Sequence, residues 1–341
     1  MRKSRSTAIK AGLYIISLAL LVYVVVYMPT PYMIHQPGSA DEIKPMVSVA
    51  GGDQEEKGTF MLTTVSVSYA NLAMLITTQF KRHAEIIRKE PDRNDEEYET
   101  QQRYYMSSSQ SNSIMTAYKH ADIDYAVVPE YVFVVGFSKT VTPKGEFHPG
   151  DIIKKLNGET IGNFEGLAEA LKGKSAGDKV PVELERGGKK VDQQVELVKI
   201  GEENGEPKAG LGVSVGEVRK VQPSDPDKEV HFKDTRIGGP SAGLMFTLEI
   251  YNQLTPGDLS KGYRVAGTGT MSEDGSVGPI GGVQFKIVAS ERQHADIFFV
   301  PEDNYKEAKA KADEIKSGMK LVPVKQVDDA LKYLEELPAK G

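Results

Sequence analysis

The strongest constraint on this chain is a run of 18 residues, Ala11 to Met28, that carries no charge and is dominated by Leu, Ile and Val. As an α-helix it is about 27 Å long, close to the hydrocarbon thickness of a bilayer. Arg2, Lys3, Arg5 and Lys10 precede the run and no basic residue falls inside it, a pattern that keeps the N-terminus cytoplasmic. A cleaved signal peptide has a shorter apolar core followed by a small-x-small site. Here Pro29-Thr30-Pro31-Tyr32-Met33 follows instead. Residues 11–28 are therefore expected to be a retained single-pass anchor in the cell membrane, with residues 1–10 as a cytoplasmic basic tail. The bulk of the chain is then extracytoplasmic.

Composition narrows the rest. With 341 residues, 39% hydrophobic and 26% charged, the chain has room for two ordinary domains besides the anchor. A formal charge of −6 with no long basic block argues against a nucleic-acid partner. Cysteine is absent, which excludes thiol catalysis, disulfides and cysteine-held zinc. No cofactor and no metal is expected.

Past the anchor, Gly58 to Tyr69 is rich in Thr, Val and Phe with alternation at Val65-Ser66-Val67-Ser68, which predicts a core strand. Asn71 to about His120 reads as helical with a break at Pro91. Its polar stretch Asp92 to Arg103 and serine-rich stretch Ser107 to Ser113 read as a solvated helix and loop. From Asp124 short β runs alternate with turn signals. They are Tyr131 to Phe137, then His148-Pro149-Gly150-Asp151-Ile152-Ile153, the turn Asn157-Gly158, a short amphipathic helix Phe164 to Leu171, and strands on either side of Gly187-Gly188.

That order resembles a PDZ domain of the bacterial protease type, over residues 124–200. The resemblance implies that a peptide adds as an extra strand beside Val132, Phe133, Val134 and Val135. Val128-Pro129-Glu130-Tyr131 lacks the glycines with which such domains expose amides to a terminal carboxylate. Gly201 to Gly210 is polar and reads as a linker. Helices and strands alternate after it, as in a mixed α/β domain.

Two glycine-rich segments of that domain carry chemistry. Gly238-Gly239-Pro240-Ser241-Ala242-Gly243 sets a serine on a sharp turn where a helix begins, among amides that lack helical partners. Such a serine is either a helix cap or a nucleophile beside an oxyanion site built from Gly239, Pro240, Ala242 and Gly243. A nucleophilic serine needs a base. None of the six histidines sits in a recognisable triad motif. Gly281-Gly282-Val283-Gln284-Phe285-Lys286 offers Lys286 on a helix face with Val283, Ile287 and Ser290, where burial lowers an amine's pKa.

The serine and lysine segments, Val265-Ala-Gly-Thr-Gly-Thr270 and Phe299-Val-Pro-Glu-Asp-Asn304 together resemble the proteolytic domain of Lon proteases over about 130 residues. The resemblance implies that Ser241 is the nucleophile, that Lys286 is its base, and that Thr268 hydrogen-bonds the lysine amine. Gly238 stands where many Lon proteins carry an aspartate, and Asp234 is the nearest acidic substitute. The one P-loop fragment, Gly173-Lys174-Ser175, has Ala168 where that motif needs glycine.

The expected architecture is an α/β (α+β) Lon-type proteolytic domain over residues 201–341, joined by residues 29–123 with their helical segment. A β-rich PDZ domain is inserted between them, and a transmembrane helix precedes all three. This resembles the ATP-independent, PDZ-containing Lon-like membrane proteases of Gram-positive bacteria. Such a serine endopeptidase cuts exported peptides or small single-pass membrane proteins. The partners expected are a peptide or protein substrate and membrane lipid along Ala11–Met28, with homo-oligomerisation left open. Two other readings stand beside it: a PDZ-bearing adaptor with an inactive protease-like domain, and a serine hydrolase with His231 as base.

Overall fold

The computed structural model describes the chain except residues 1, 54, 92–93, 139, 204–205, 234–236 and 341; for 2–9, 203 and 206 the backbone alone is described. Helix α1 (Arg2–Tyr27) contains the apolar run, and none of Lys10–Tyr27 is buried against the protein. Met28 alone separates it from β1 (Pro29–Glu42), which is followed by β2 (Val47–Val49) and β3 (Thr59–Asn71). The next segment is only partly helical. It comprises α2 (Leu72–Thr78), β4 (Glu85–Arg88) and α3 (Asp95–His120). Asn94 caps α3 through the amides of Glu96 and Glu97, and three acidic residues face its N-terminal dipole. Contrary to the solvated reading, the serine-rich part of α3 is interior: Ser109, Ser111 and Ser113 are buried.

The PDZ-like unit contains β5 (Tyr125–Phe137), β6 (Ile152–Leu156), β7 (Glu159–Thr160), α4 (Phe164–Leu171), β8 (Lys179–Arg186) and β9 (Lys189–Glu196). The expected linker is instead a hairpin of β10 (Val198–Glu203) and β11 (Glu206–Gly210). Strand β12 (Val213–Pro223) then returns antiparallel along β5, pairing Val213 with Phe137 and Pro223 with Tyr125. Because β6 holds the other edge of β5, Val132 and Phe133 are paired with strands on both sides, and Val132, Phe133, Val134 and Val135 are all buried. They are not an open peptide edge. The chain's own β12 has the ladder that a peptide would use, and Glu217 on it accepts the Phe164 N–H at the start of α4, at 2.7 Å. Val128 and Pro129 pair with β12 as ordinary strand residues, so no glycine loop is needed there.

The remaining elements are β13 (Val230–Phe232), α5 (Gly243–Leu254), β14 (Arg264–Gly267), β15 (Thr270–Met271), β16 (Val277–Gly278), α6 (Val283–Arg292), β17 (Ile297–Pro301), α7 (Glu302–Ile315), β18 (Lys320–Val324) and α8 (Val327–Glu336). One sheet, in the order β18-β17-β14-β3-β1-β4, unites them with the strands before the PDZ-like unit. Alternation along its central strands divides the core. Phe60, Leu62 and Phe299 face α3, α5 and α8, while Met61, Phe298 and Val300 face α6 and α7. Both faces are covered, as a largely parallel sheet requires.

One buried group opposes this packing. Glu249 on α5 is wholly enclosed; Gln253 Nε2 donates to its Oε1 at 2.6 Å, and Oε2 has no partner among the described residues. Burial, with the neighbouring Glu56 carboxylate, pushes its pKa up to about 7. Between the usual carboxylate pKa and 7 only the unfolded chain ionises, so stability falls as pH rises through that window. Glu249→Gln is neutral at every pH. It should leave Tm nearly unchanged at pH 4.5 and raise it at pH 8, by up to about 3 kcal/mol of stability, as read from thermal melts at both values. A pH-independent difference would rule out this origin.

Candidate active site

The loop that carries the serine packs against α3. Gly239 sits at φ +87, in the left-handed region, and a Cβ there would lie 2.9 Å from Gln102 Oε1. Its N–H donates to Gln102 O on α3 at 3.0 Å. At Gly243 a Cβ would lie 2.7 Å from Met271 Cβ and 2.8 Å from Ser109 Oγ, so the start of α5 is glycine for closeness of approach. Between these glycines, Ser241 is part-buried.

Lys286 reaches it from the first turn of α6, which begins after Gly282 at φ +70. The side chain is 2% exposed. Its Nζ lies 2.7 Å from Thr63 O on β3 and 3.0 Å from Ser241 Oγ. Among the described residues no carboxylate is within ion-pair distance of it. Burial without a counter-charge pushes the amine down to about 7. In its neutral form one N–H donates to Thr63 O while the lone pair faces the Ser241 hydroxyl.

Thr268 is buried beside the pair, but its hydroxyl donates to Ser241 O at 2.9 Å rather than to the lysine amine. The lysine is oriented instead by the Thr63 carbonyl. Gly269 N–H also donates to Ser241 O, at 2.9 Å. On the other side, Ser109 Oγ donates to Pro240 O at 3.0 Å. A trans peptide is planar, with C=O and N–H pointing in opposite directions. Holding Pro240 O therefore turns Ser241 N–H away from α3, and holding Ser241 O turns Ala242 N–H away from Thr268. Neither N–H has an acceptor among the described residues. Of the expected oxyanion residues, then, Ala242 offers a free amide, as does Ser241 itself. Gly239 N–H is bound to α3, proline has no N–H, and Gly243 N–H turns back to Pro240 O at 3.3 Å.

An open groove of about 610 Å³ runs past the pair, walled by His35, Val65 and Val67 on one side and Tyr98, Gln102 and Met106 on the other. His231 is 60% exposed on β13 and lies 3.8 Å from Glu229, whereas the amine in contact with Ser241 Oγ is that of Lys286. Asp234 lies outside the described residues. Thr63, Ser109 and Gln102 act here through contacts that carry no sequence motif: two are main-chain carbonyls, and the third is a serine in a run of serines.

Residues 220–336 match the model of the Lon protease (S16) C-terminal proteolytic domain, and residues 120–197 match that of the PDZ domain. The chain is 37% identical over 109 residues to the Lon protease of Azospirillum brasilense, covering 31% of this chain and 13% of that protein. With the Lon protease of Trichlorobacter lovleyi the identity is 38% over 101 residues, or 29% of this chain and 12% of that one. The chain thus spans about an eighth of the length of these relatives. Among solved structures, the PDZ domain of an SdrC-like protein from Listeria monocytogenes covers 25% of this chain and 87% of its own, at 21% identity and TM-score 0.23. The chain carries a Lon-type (S16) C-terminal proteolytic domain and a PDZ domain.

Two outcomes follow from the geometry. Acylation of Ser241 by a serine-reactive probe should rise with pH through about 7 as the amine loses its proton, and Lys286→Arg, which stays charged, should abolish it. Ser109→Ala should slow peptide cleavage roughly 10- to 100-fold by freeing the Pro240–Ser241 peptide plane, without moving the pH midpoint. Ser113→Ala is the control. Its hydroxyl contacts Gly243 O at 2.9 Å, away from the free amides, so its loss should lower Tm and spare kcat.

Proposed function

We propose that this chain is a membrane-anchored serine endopeptidase that works outside the cytoplasm by a Ser241–Lys286 dyad. The observation that carries the reading is the buried, unpaired Lys286 amine 3.0 Å from Ser241 Oγ. In the first step the amine takes the hydroxyl proton while Ser241 Oγ bonds to the scissile carbonyl carbon, whose oxygen takes the π-electron pair. The amides of Ser241 and Ala242 are the donors available to that oxygen. Collapse breaks the C–N bond, and the lysine ammonium returns its proton to the leaving amine. Water then repeats the sequence on the acyl-enzyme, with Lys286 taking its proton and giving it back to Ser241 as the acid departs.

The apolar helix α1 supports anchoring, and the basic residues before it support a cytoplasmic N-terminus. Cleavage would proceed without nucleotide, on substrates already flexible: exported peptides or the exposed parts of small single-pass membrane proteins. On this reading the groove of about 610 Å³ beside the pair would receive a flexible segment rather than a folded domain.

The deciding measurement is cleavage of an unstructured peptide by the detergent-solubilised full chain, with and without ATP. Ser241→Ala and Lys286→Ala should each lose at least about 10³-fold in kcat, while His231→Ala and added ATP should change it less than twofold. Full activity in Lys286→Ala would sink the dyad. Loss of activity in His231→Ala would favour the histidine-dependent reading. A wild-type Ser241 that neither cleaves nor labels would leave the adaptor.

A further inference from the structure

The junction between α1 and the body is unusually short and unusually tied. A single residue, Met28, separates the helix from β1. Asn71, at the end of β3, donates from Nδ2 to Val26 O of α1 at 2.6 Å, while its Oδ1 accepts the Met74 N–H and so caps α2. The same asparagine faces Pro29 in the β1–β3 ladder. Whatever surface lies beside Val26 and Tyr27 therefore stands at the level where an apolar span ends.

That surface is α2 with the turn that follows. Leu72, Ile76 and Phe80, spaced four apart, are 40%, 59% and 85% exposed. Phe80 lies in the turn after α2, where its N–H donates to Thr77 O at 3.2 Å, a 3₁₀-type bond that closes the helix end. Ile86 and Ile87 on β4 are also exposed, on opposite faces of the strand. Lys81, Arg82 and Arg88 are exposed around these side chains and form no ion pair among the described residues. A row of large apolar side chains edged by unpaired cations is the composition of a segment that lies in a lipid interface. Such cations are attracted to an anionic headgroup surface.

We propose that Leu72–Arg82 is a second, non-spanning membrane contact, in which Leu72, Ile76 and Phe80 enter the interface of the bilayer that α1 crosses and Lys81 and Arg82 meet anionic headgroups. The proposal rests on α1 being a span. Its consequence is orientation. A span alone leaves the body free to tilt, whereas two contacts fix which side faces the lipid. Strand β4, held down by this contact, carries Glu85, which accepts a hydrogen bond from Gln284 on α6 at 3.3 Å, two residues from Lys286.

The chain contains no tryptophan, so one introduced indole reports alone. Three full-length variants, Phe80→Trp, Tyr23→Trp in α1 and Phe164→Trp on the PDZ-like unit, are placed in nanodiscs of phosphatidylcholine and phosphatidylglycerol with brominated acyl chains. Phe80→Trp should emit blue-shifted light and lose most of its fluorescence to bromine, as should Tyr23→Trp, while Phe164→Trp should do neither. Adding Lys81→Glu and Arg82→Glu to Phe80→Trp should weaken its quenching, and more so as the phosphatidylglycerol fraction rises. An unquenched, water-like Phe80→Trp beside a quenched Tyr23→Trp would overturn the contact and leave the span intact. An unquenched Tyr23→Trp would overturn the span, and the contact with it.

Discussion

Everything at the reactive centre depends on one lysine amine kept out of water. An ammonium in that position would be useless as a base and costly to bury. The fold makes the neutral form the cheaper one by surrounding Lys286 with uncharged groups and giving it a carbonyl to donate to. That carbonyl belongs to Thr63 on β3, and Thr63 is itself fixed by donating from Oγ1 to Gly267 O at 2.9 Å. Ser241, Lys286 and Thr63 thus come from three stretches of chain, and one of them precedes the PDZ-like unit by about sixty residues. The sheet that joins β3 to β14 is what assembles them. Loss of that pairing would dismantle the dyad without touching either of its members.

Helix α3 has a matching role for the nucleophile. One face holds the serine turn, through Gln102 O and Ser109, and Ser113 meets the first turn of α5 at Gly243 O. Another reads the PDZ-like unit: Phe137 N–H donates to Glu97 at 3.1 Å, Tyr104 packs edge-on against Phe133, and Ser111 donates to Arg219 O of β12 at 3.1 Å. With β12 seated along β5, the PDZ-like unit is built into the same scaffold that sets the amides of Ser241 and Ala242. A peptide that displaced β12 would have to break an eleven-residue strand. It would also disturb the surface on which α3 rests.

The features legible in the sequence are those with local causes. Glycines at φ +87 and +70 mark the two turns of the site, and an uncharged run marks α1, because backbone sterics and solvation act on neighbours in the chain. What escaped depends on partners far away. The serines of α3 have a composition typical of solvated loops, and only the arrival of Pro240 and Gly243 gives them a buried use. Thr63 contributes its main-chain carbonyl, which any residue type has. Thr268 was legible as a member of the site but not in its bond, because a hydroxyl can rotate to either neighbour and the fold puts Ser241 O in reach. The edge of β5 was misread for the same reason: a strand pattern does not say who pairs with it.

Strand β3 also joins the Ser241–Lys286 site to helix α1. Thr63 holds the base at one end and Asn71 holds α1 at the other, eight residues apart. At about 3.3 Å per residue Thr63 lies no more than roughly 26 Å from Asn71, with the Ser241–Lys286 pair just beyond the one and the end of α1 just beyond the other. On the proposed reading this distance is a specificity device needing no dedicated pocket. A substrate tethered in the same bilayer presents its first eight or so extended residues within that height. A bond much farther along must fold back to reach the groove, and the entropy of closing that loop rises with its length. Selection would then fall on juxtamembrane segments and on free peptides, for which no tether has to be accommodated.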